Sequence, residues 1–178
     1  HLYSKNQPEN LAFLERFRAV LEEYDAAAAV GEVGDAQMGL EIMGEYTTGD
    51  DRVHMCYSFE LLSPTVPTAE RVEKVMGDVD RVASDGWACW AFSNHDVIRH
   101  MTRWNLSPAA ARAFTTLMMC LRGSTCIYQG EELGLHEADV AFEDLQDPYG
   151  IEFWPEFKGR DGCRTPMAWE ASNRNAGF

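Results

Sequence analysis

Carboxylates recur in this chain at the ends of apolar runs. Glu32 closes Val30-Gly31-Glu32-Val33, Asp96 closes Phe92-Ser93-Asn94-His95-Asp96, and Glu131 and Glu132 follow Tyr128-Gln129-Gly130. A carboxylate beside an apolar core is costly unless something uses it. Two such groups suit general acid and base work on a polar bond. Together with His95 they also suit a metal ion. Against the metal, Glu32, His95 and Asp96 have no compact ligand spacing, and only five histidines occur in the chain. Neither metal nor cofactor is expected. Bland roles compete for the same residues. Glu32 can cap a helix or pair with an arginine, and Asn94-His95-Asp96 can be turn chemistry. Glu131 and Glu132 read as the acidic first turn of a helix and are expected to be structural.

These groups share one face only if the elements beneath them are parallel strands. Residues 7–24 carry Pro8 near the start and apolar Leu11, Phe13, Leu14, Phe17, Val20 and Leu21 at helical spacing. Residues 27–33 read as a buried strand that runs into a Gly-Glu-Val-Gly-Asp loop. A short helix over 38–46, closed by Gly49, leads to a strand-like stretch over 53–61 with Pro64 and Pro67 as breakers. Thr68 is a plausible N-cap for a helix over 68–83. A second buried strand over 87–92 ends at Asp96's motif. Ser107-Pro108 starts a helix to about residue 121, stopped by Gly123. A last strand is expected over 125–128, and an irregular loop from about 136. Near-continuous apolar strands alternating with helices imply an α/β fold with a parallel sheet, whose strand ends form the active face. Residues 1–178 read as one domain.

The net charge of -14 argues against nucleic acid and anionic membrane as partners. No segment approaches the roughly 20 apolar residues of a membrane span. Cys56, Cys89, Cys120, Cys126 and Cys163 form no CxxC pair and read as buried free thiols of a reducing, cytoplasmic compartment. The chain opens on His1 instead of Met and is expected to be a piece of a longer polypeptide.

The three strand-end motifs, in this order, resemble those of glycoside hydrolase family 13, the α-amylase superfamily, whose fold is an eight-stranded β/α barrel. Two further stretches are similar to its α-glucosidase and oligo-1,6-glucosidase branch: His1 to Glu9, and Gly159-Arg160-Asp161-Gly162-Cys163-Arg164-Thr165-Pro166-Met167. Asp96 to Trp104, with Arg99 and Arg103, resembles that branch as well. The resemblance implies a partial (β/α)8 barrel, strands five to eight. It implies that Glu32 is the general acid/base, that Asp96 stabilises the transition state, that His95 contacts the hydroxyls of the innermost glucose, and that Arg99 lies near the leaving-group side.

A retaining mechanism follows from the same resemblance. Glu32 enters protonated, gives its proton to the glycosidic oxygen and later takes one from water. The family's nucleophile is an aspartate in a Gly-Phe-Arg-x-Asp motif, and no such motif occurs here. The nucleophile must lie about 5–5.5 Å from the acid, so the chain alone is expected to be inactive. Its parent is expected to act on short oligosaccharides or disaccharides. Two other readings stay open: a glucosyl-transferring enzyme of the sucrose isomerase type, and a non-catalytic interaction subunit. Half a barrel exposes sheet edges, so self-association is also expected.

Overall fold

A computed structural model describes Tyr3, residues 5–35 and residues 37–178, so the opening motif His1 to Glu9 lies in part outside the described residues. One sheet holds β1 (Val30–Glu32), β2 (Met55–Tyr57), β3 (Ala88–Trp90) and β4 (Ser124–Thr125), in that order. Every neighbouring pair is parallel, with Gly31 opposite Cys56, Tyr57 opposite Cys89 and Trp90 opposite Thr125. Parallel neighbours require crossovers, and helices supply them. α1 (Glu9–Leu21) precedes β1, α2 (Gly39–Thr47) joins β1 to β2, and α3 (Ala69–Val82) joins β2 to β3. α4 (His100–Arg103) and α5 (Pro108–Cys120) come between β3 and β4. The four strands therefore end at one edge of the sheet.

The helix starts follow the sequence closely. Thr68 accepts the Arg71 N–H at 3.2 Å, with Glu70 in the first turn of α3. Ser107 Oγ accepts the Ala110 N–H at the start of α5. Ahead of α2, Asp35 Oδ1 accepts the N–H groups of Met38 and Gln37, which hold its carboxyl down to about 2. Val75 and Val79, one turn apart on α3, are buried with Met43 of α2 and with Cys56, Ala88 and Trp90 of the sheet.

The strands are shorter than expected, and the outer ones are less covered. β3 is buried throughout, whereas Val30 on β1 is 57% exposed and Ser124 and Thr125 are half-buried. The reason is position: among the described residues β1 and β4 each pair with one neighbour. The last strand ends at Thr125, and residues 126–128 are irregular. Gly123 lets the chain approach β3, since a Cβ there would sit 2.5 Å from the Ala88 carbonyl oxygen, and its φ is +133°. That close pass orders the end of the connection more than it stops a helix, because α5 already ends at Cys120.

All five cysteines are free, but only Cys56, Cys89 and Cys163 are buried; Cys120 and Cys126 are exposed. Burial pushes the Cys56 thiol up to about 12, which leaves it inert.

The chain forms two compact units. One comprises the residues up to Ser63, Pro67–Ala91 and Met118–Cys126, and holds the sheet. The other comprises Pro64–Val66, Phe92–Leu117 and Ile127–Phe178. Its core is aromatic, with Phe92, Trp104 and Phe114 packed at centroid distances of 5.2 to 6.0 Å. The irregular stretch after residue 136 contains α6 (Pro148–Glu152) and three short 3-10 turns.

Candidate active site

Glu32 is the last residue of β1, in register with Tyr57 on β2, and it is exposed. The loop that follows is tied down locally. Lys5 Nζ donates to the Gly34 carbonyl at 2.9 Å, and Asn6 Nδ2 donates to Asp35 Oδ2 at 3.0 Å. A shallow cleft at this strand end is lined by Val33, Asp35, Met43, Tyr57, Phe59 and Glu60. Tyr57 and Phe59 meet edge to face at 5.4 Å.

His95 and Asp96 lie in the second unit and stand together. The Asn94 side chain accepts the Asp96 N–H at 2.9 Å, so turn chemistry does operate here. It orients a carboxylate that is then gripped from outside the motif. Arg160 Nη1 and Arg164 Nη2 both donate to Asp96 Oδ1, at 2.9 and 2.8 Å. Arg164 Nε also donates to the His95 carbonyl at 2.7 Å. The other oxygen, Oδ2, lies 3.4 Å from His95 Nε2. Partial burial pushes the Asp96 carboxyl up. The Arg160 hydrogen bond, the His95 charge and Arg164 outweigh it and hold the group below the ordinary aspartate value. Asp96 is thus an ionised carboxylate with one oxygen fully engaged.

Arg99 sits differently, only 2% exposed. Nη1 donates to the Gln129 carbonyl at 2.7 Å, and Nη2 to the Cys163 carbonyl at 3.0 Å. The guanidinium lies 5.0 Å from the Tyr128 ring centroid, and the Arg99 N–H donates to Glu137 Oε2. Arg99 clamps two loops from within.

Glu131 and Glu132 start no helix. They lie in a turn over residues 129–134 closed by the Leu135 N–H on the Gly130 carbonyl. Glu131 is buried, and its Oε2 accepts the Tyr128 N–H at 3.1 Å. The helix-dipole role expected of this pair does not apply, because Gly130 at φ +85° and Gly134 at φ +69° curl the chain back on itself. Among the described residues no group of three or more His, Cys, Asp or Glu side chains is arranged to hold a metal ion. No helix among them is long and apolar enough to cross a membrane.

Residues 1–178 match the alpha amylase catalytic domain over their whole length. The chain belongs to the α-amylase family. A probable alpha-glucosidase of Rhizobium meliloti (strain 1021) is 63% identical over 175 residues, covering 96% of this chain and 32% of that protein. An oligo-1,6-glucosidase of Heyndrickxia coagulans is 31% identical and covers 99% of this chain and 38% of that protein. The crystal structure of an alpha-glucosyl transfer enzyme, XgtA, matches at a TM-score of 0.88 and 53% identity, over 97% of this chain and 32% of that one. The trehalulose synthase MutB from Pseudomonas mesoacidophila MX-45, at 22% identity and a TM-score of 0.76, shares the fold. This α-amylase-family chain spans about a third of the length of these relatives. Its four parallel strands and their helices are part of the family's β/α barrel.

Sequence reasoning marked the Gly159 to Met167 stretch as a resemblance but gave its arginines no task. The available signal was composition: two arginines and an aspartate in an otherwise irregular loop, whose charges need partners. Asp147 gave no signal at all.

Proposed function

We propose that this α-amylase-family chain carries the proton donor and the transition-state carboxylate of a retaining α-glucosidase acting on short oligosaccharides or disaccharides. The observation that carries the reading is Asp96 itself, an aspartate kept ionised by two arginines with one oxygen left toward His95. A carboxylate so held stabilises an oxocarbenium-like charge without taking a proton. His95 supplies a ring nitrogen beside it for a sugar hydroxyl. Glu32, at the C-terminal end of a parallel strand, is the general acid and then the base. Asp96 follows β3 in the chain. Arg99 acts from beneath, holding the loops after β4 in place. The 63% identity to a probable alpha-glucosidase supports the substrate class. Five free thiols are in keeping with a reducing, cytoplasmic setting.

The nucleophilic aspartate of a double displacement must come from outside these residues, so the isolated chain is inactive. A nitrophenyl α-glucoside assay tests both halves of this. The complete enzyme hydrolyses it, and Glu32→Gln and Asp96→Asn each lower kcat/KM by about 100-fold or more. Turnover by the 178-residue chain alone, free of complete enzyme, would defeat the inactivity claim. Full activity of either variant would defeat the assignment.

A transfer reading has its own support, the 53% identity to an alpha-glucosyl transfer enzyme. Product analysis with a disaccharide donor and an added alcohol acceptor decides: free glucose for hydrolysis, a new glucoside for transfer.

A further inference from the structure

Asp147 is an expensive residue with no role in the proposed chemistry. Its carboxylate is fully buried, at 0% side-chain exposure. One bond caps α6, from the Tyr149 N–H at 3.3 Å. A cap needs no more than that. Three further bonds all come from a single residue: the Arg160 N–H and Nε on Oδ2, each at 2.8 Å, and Nη2 on Oδ1 at 3.0 Å. The nitrogen left over, Nη1, is the one that reaches Asp96.

The surroundings hold this arrangement from both sides. Asp161 Oδ2 accepts the N–H groups of Gln146 and Asp147, at 2.8 and 2.9 Å, and so fixes the strand of loop that carries Asp147. Gly159, at φ +76°, lies so close that a Cβ there would come within 2.8 Å of Gly150 Cα and 3.1 Å of Asp147 Cβ. A fork-to-fork guanidinium–carboxylate pair is directional, and burying its anchor leaves it no freedom to swing.

We propose that Asp147 is a positioning residue for Asp96: it locks Arg160 by two points so that Nη1 engages Asp96 Oδ1 and leaves Oδ2 for the sugar. The inference rests on Asp96 being the transition-state carboxylate proposed above, but its test uses no substrate. Capping α6 is the competing role, and it asks nothing of Arg160.

Carboxyl carbon NMR titration of Asp96 in this chain separates the two. In Asp147→Asn the fork loses its charged partner, Arg160 swings free, and the Asp96 midpoint rises by about one unit. If Asp147 merely sat nearby, removing its negative charge while Arg160 stayed put would lower the midpoint. A fall, or no change in a folded protein, therefore overturns the proposal. Should Asp147→Asn not fold, Arg160→Lys decides from a less buried position. Lysine keeps the charge but has no fork, so the midpoint rises here too, and an unmoved midpoint overturns the proposal. A raised midpoint beside a fully active Asp96→Asn enzyme would leave the positioning intact and remove the glucosidase reading instead.

Discussion

Nδ1 of His100 and Oε1 of Glu131 lie 3.5 Å apart with each side chain only 2% exposed, yet the two are not an ion pair at mildly acidic pH. Burial pushes the His100 imidazole down to about 4, helped by Arg103 and Arg99. Burial pushes the Glu131 carboxyl up to about 7; the Tyr128 N–H and the Arg103 and Arg99 charges oppose this, and Glu132 adds to it. Between those two values the shifts favour the proton on the carboxyl over the ring. Ser93 Oγ lies 3.0 Å from His100 Nδ1 and accepts the His100 N–H. Among the described residues, His100 Nε2 and Glu131 Oε1 have no hydrogen-bond partner.

Opposed titrations follow from that pair. From the native value of about 4 up to the unfolded value of 6.5, only the unfolded chain protonates His100, so this term makes stability rise with pH. From the unfolded value of 4.5 up to about 7, only the native chain protonates Glu131, so this term makes stability fall with pH. Where the windows overlap the two slopes cancel. Glu131→Gln unmasks the rising slope and His100→Gln the falling one. Urea unfolding at a series of pH values reads both; slopes of the same sign in the two variants would contradict the assignment.

Arg99 and Arg164 should differ sharply under truncation, although both donate to main-chain carbonyls. Arg99→Ala leaves the Gln129 carbonyl without its donor and the Cys163 carbonyl with only the Tyr128 hydroxyl, at a buried site, and costs about 3 kcal/mol. Arg164 is 34% exposed and Asp96 41%, so solvent screens their contact. Arg164→Ala costs less than about 1 kcal/mol. Chemical denaturation of the two variants gives the ranking.

Gly123→Ala tests the close pass between β3 and β4. The alanine methyl would meet the Ala88 carbonyl oxygen at 2.5 Å and Trp90 Nε1 at 2.7 Å, on a backbone at φ +133°. Trp90 Nε1 donates to the Arg122 carbonyl at 2.7 Å, so the indole is not free to move aside. We expect a loss of about 2–3 kcal/mol and a lowered Tm. A variant as stable as the parent would show that the β3–β4 approach is looser than described.

Glu32→Gln, by contrast, should leave Tm unchanged. Glu32 is exposed at the end of an outer strand, and exposed substitutions away from special features shift stability by no more than about 0.5 kcal/mol. A calorimetric scan that finds a large loss would indicate a structural role for this carboxylate.

Self-association is expected of the isolated chain. Val30 is 57% exposed on β1 and Ile127 is 39% exposed just past β4, while Phe13 and Phe17 stack on α1 at 6.5 Å with much of each ring in solvent. Open strand edges and apolar side chains recruit other copies. Light scattering should report a dimer or larger species, and a clean monomer would contradict this.

Local chemistry in the sequence determined the alternation of helices and strands, the starts of α3 and α5, the parallel sheet, and the position of Glu32 at a strand end. Those features depend on neighbours within a few residues: a Thr or Ser before a helix, an apolar run before a carboxylate. Only the tertiary structure decided what each charged side chain does. Asp96 and its two arginines are separated by more than sixty positions in the chain. Arg99 and Arg164 look alike in the sequence, yet one is buried as a clamp and the other half-exposed on a carboxylate. Glu131 read as a helix start and became a buried acid, because Gly130 and Gly134 turn the chain and His100 waits on another element. Burial and partner choice are set by long-range packing, which no window of sequence contains.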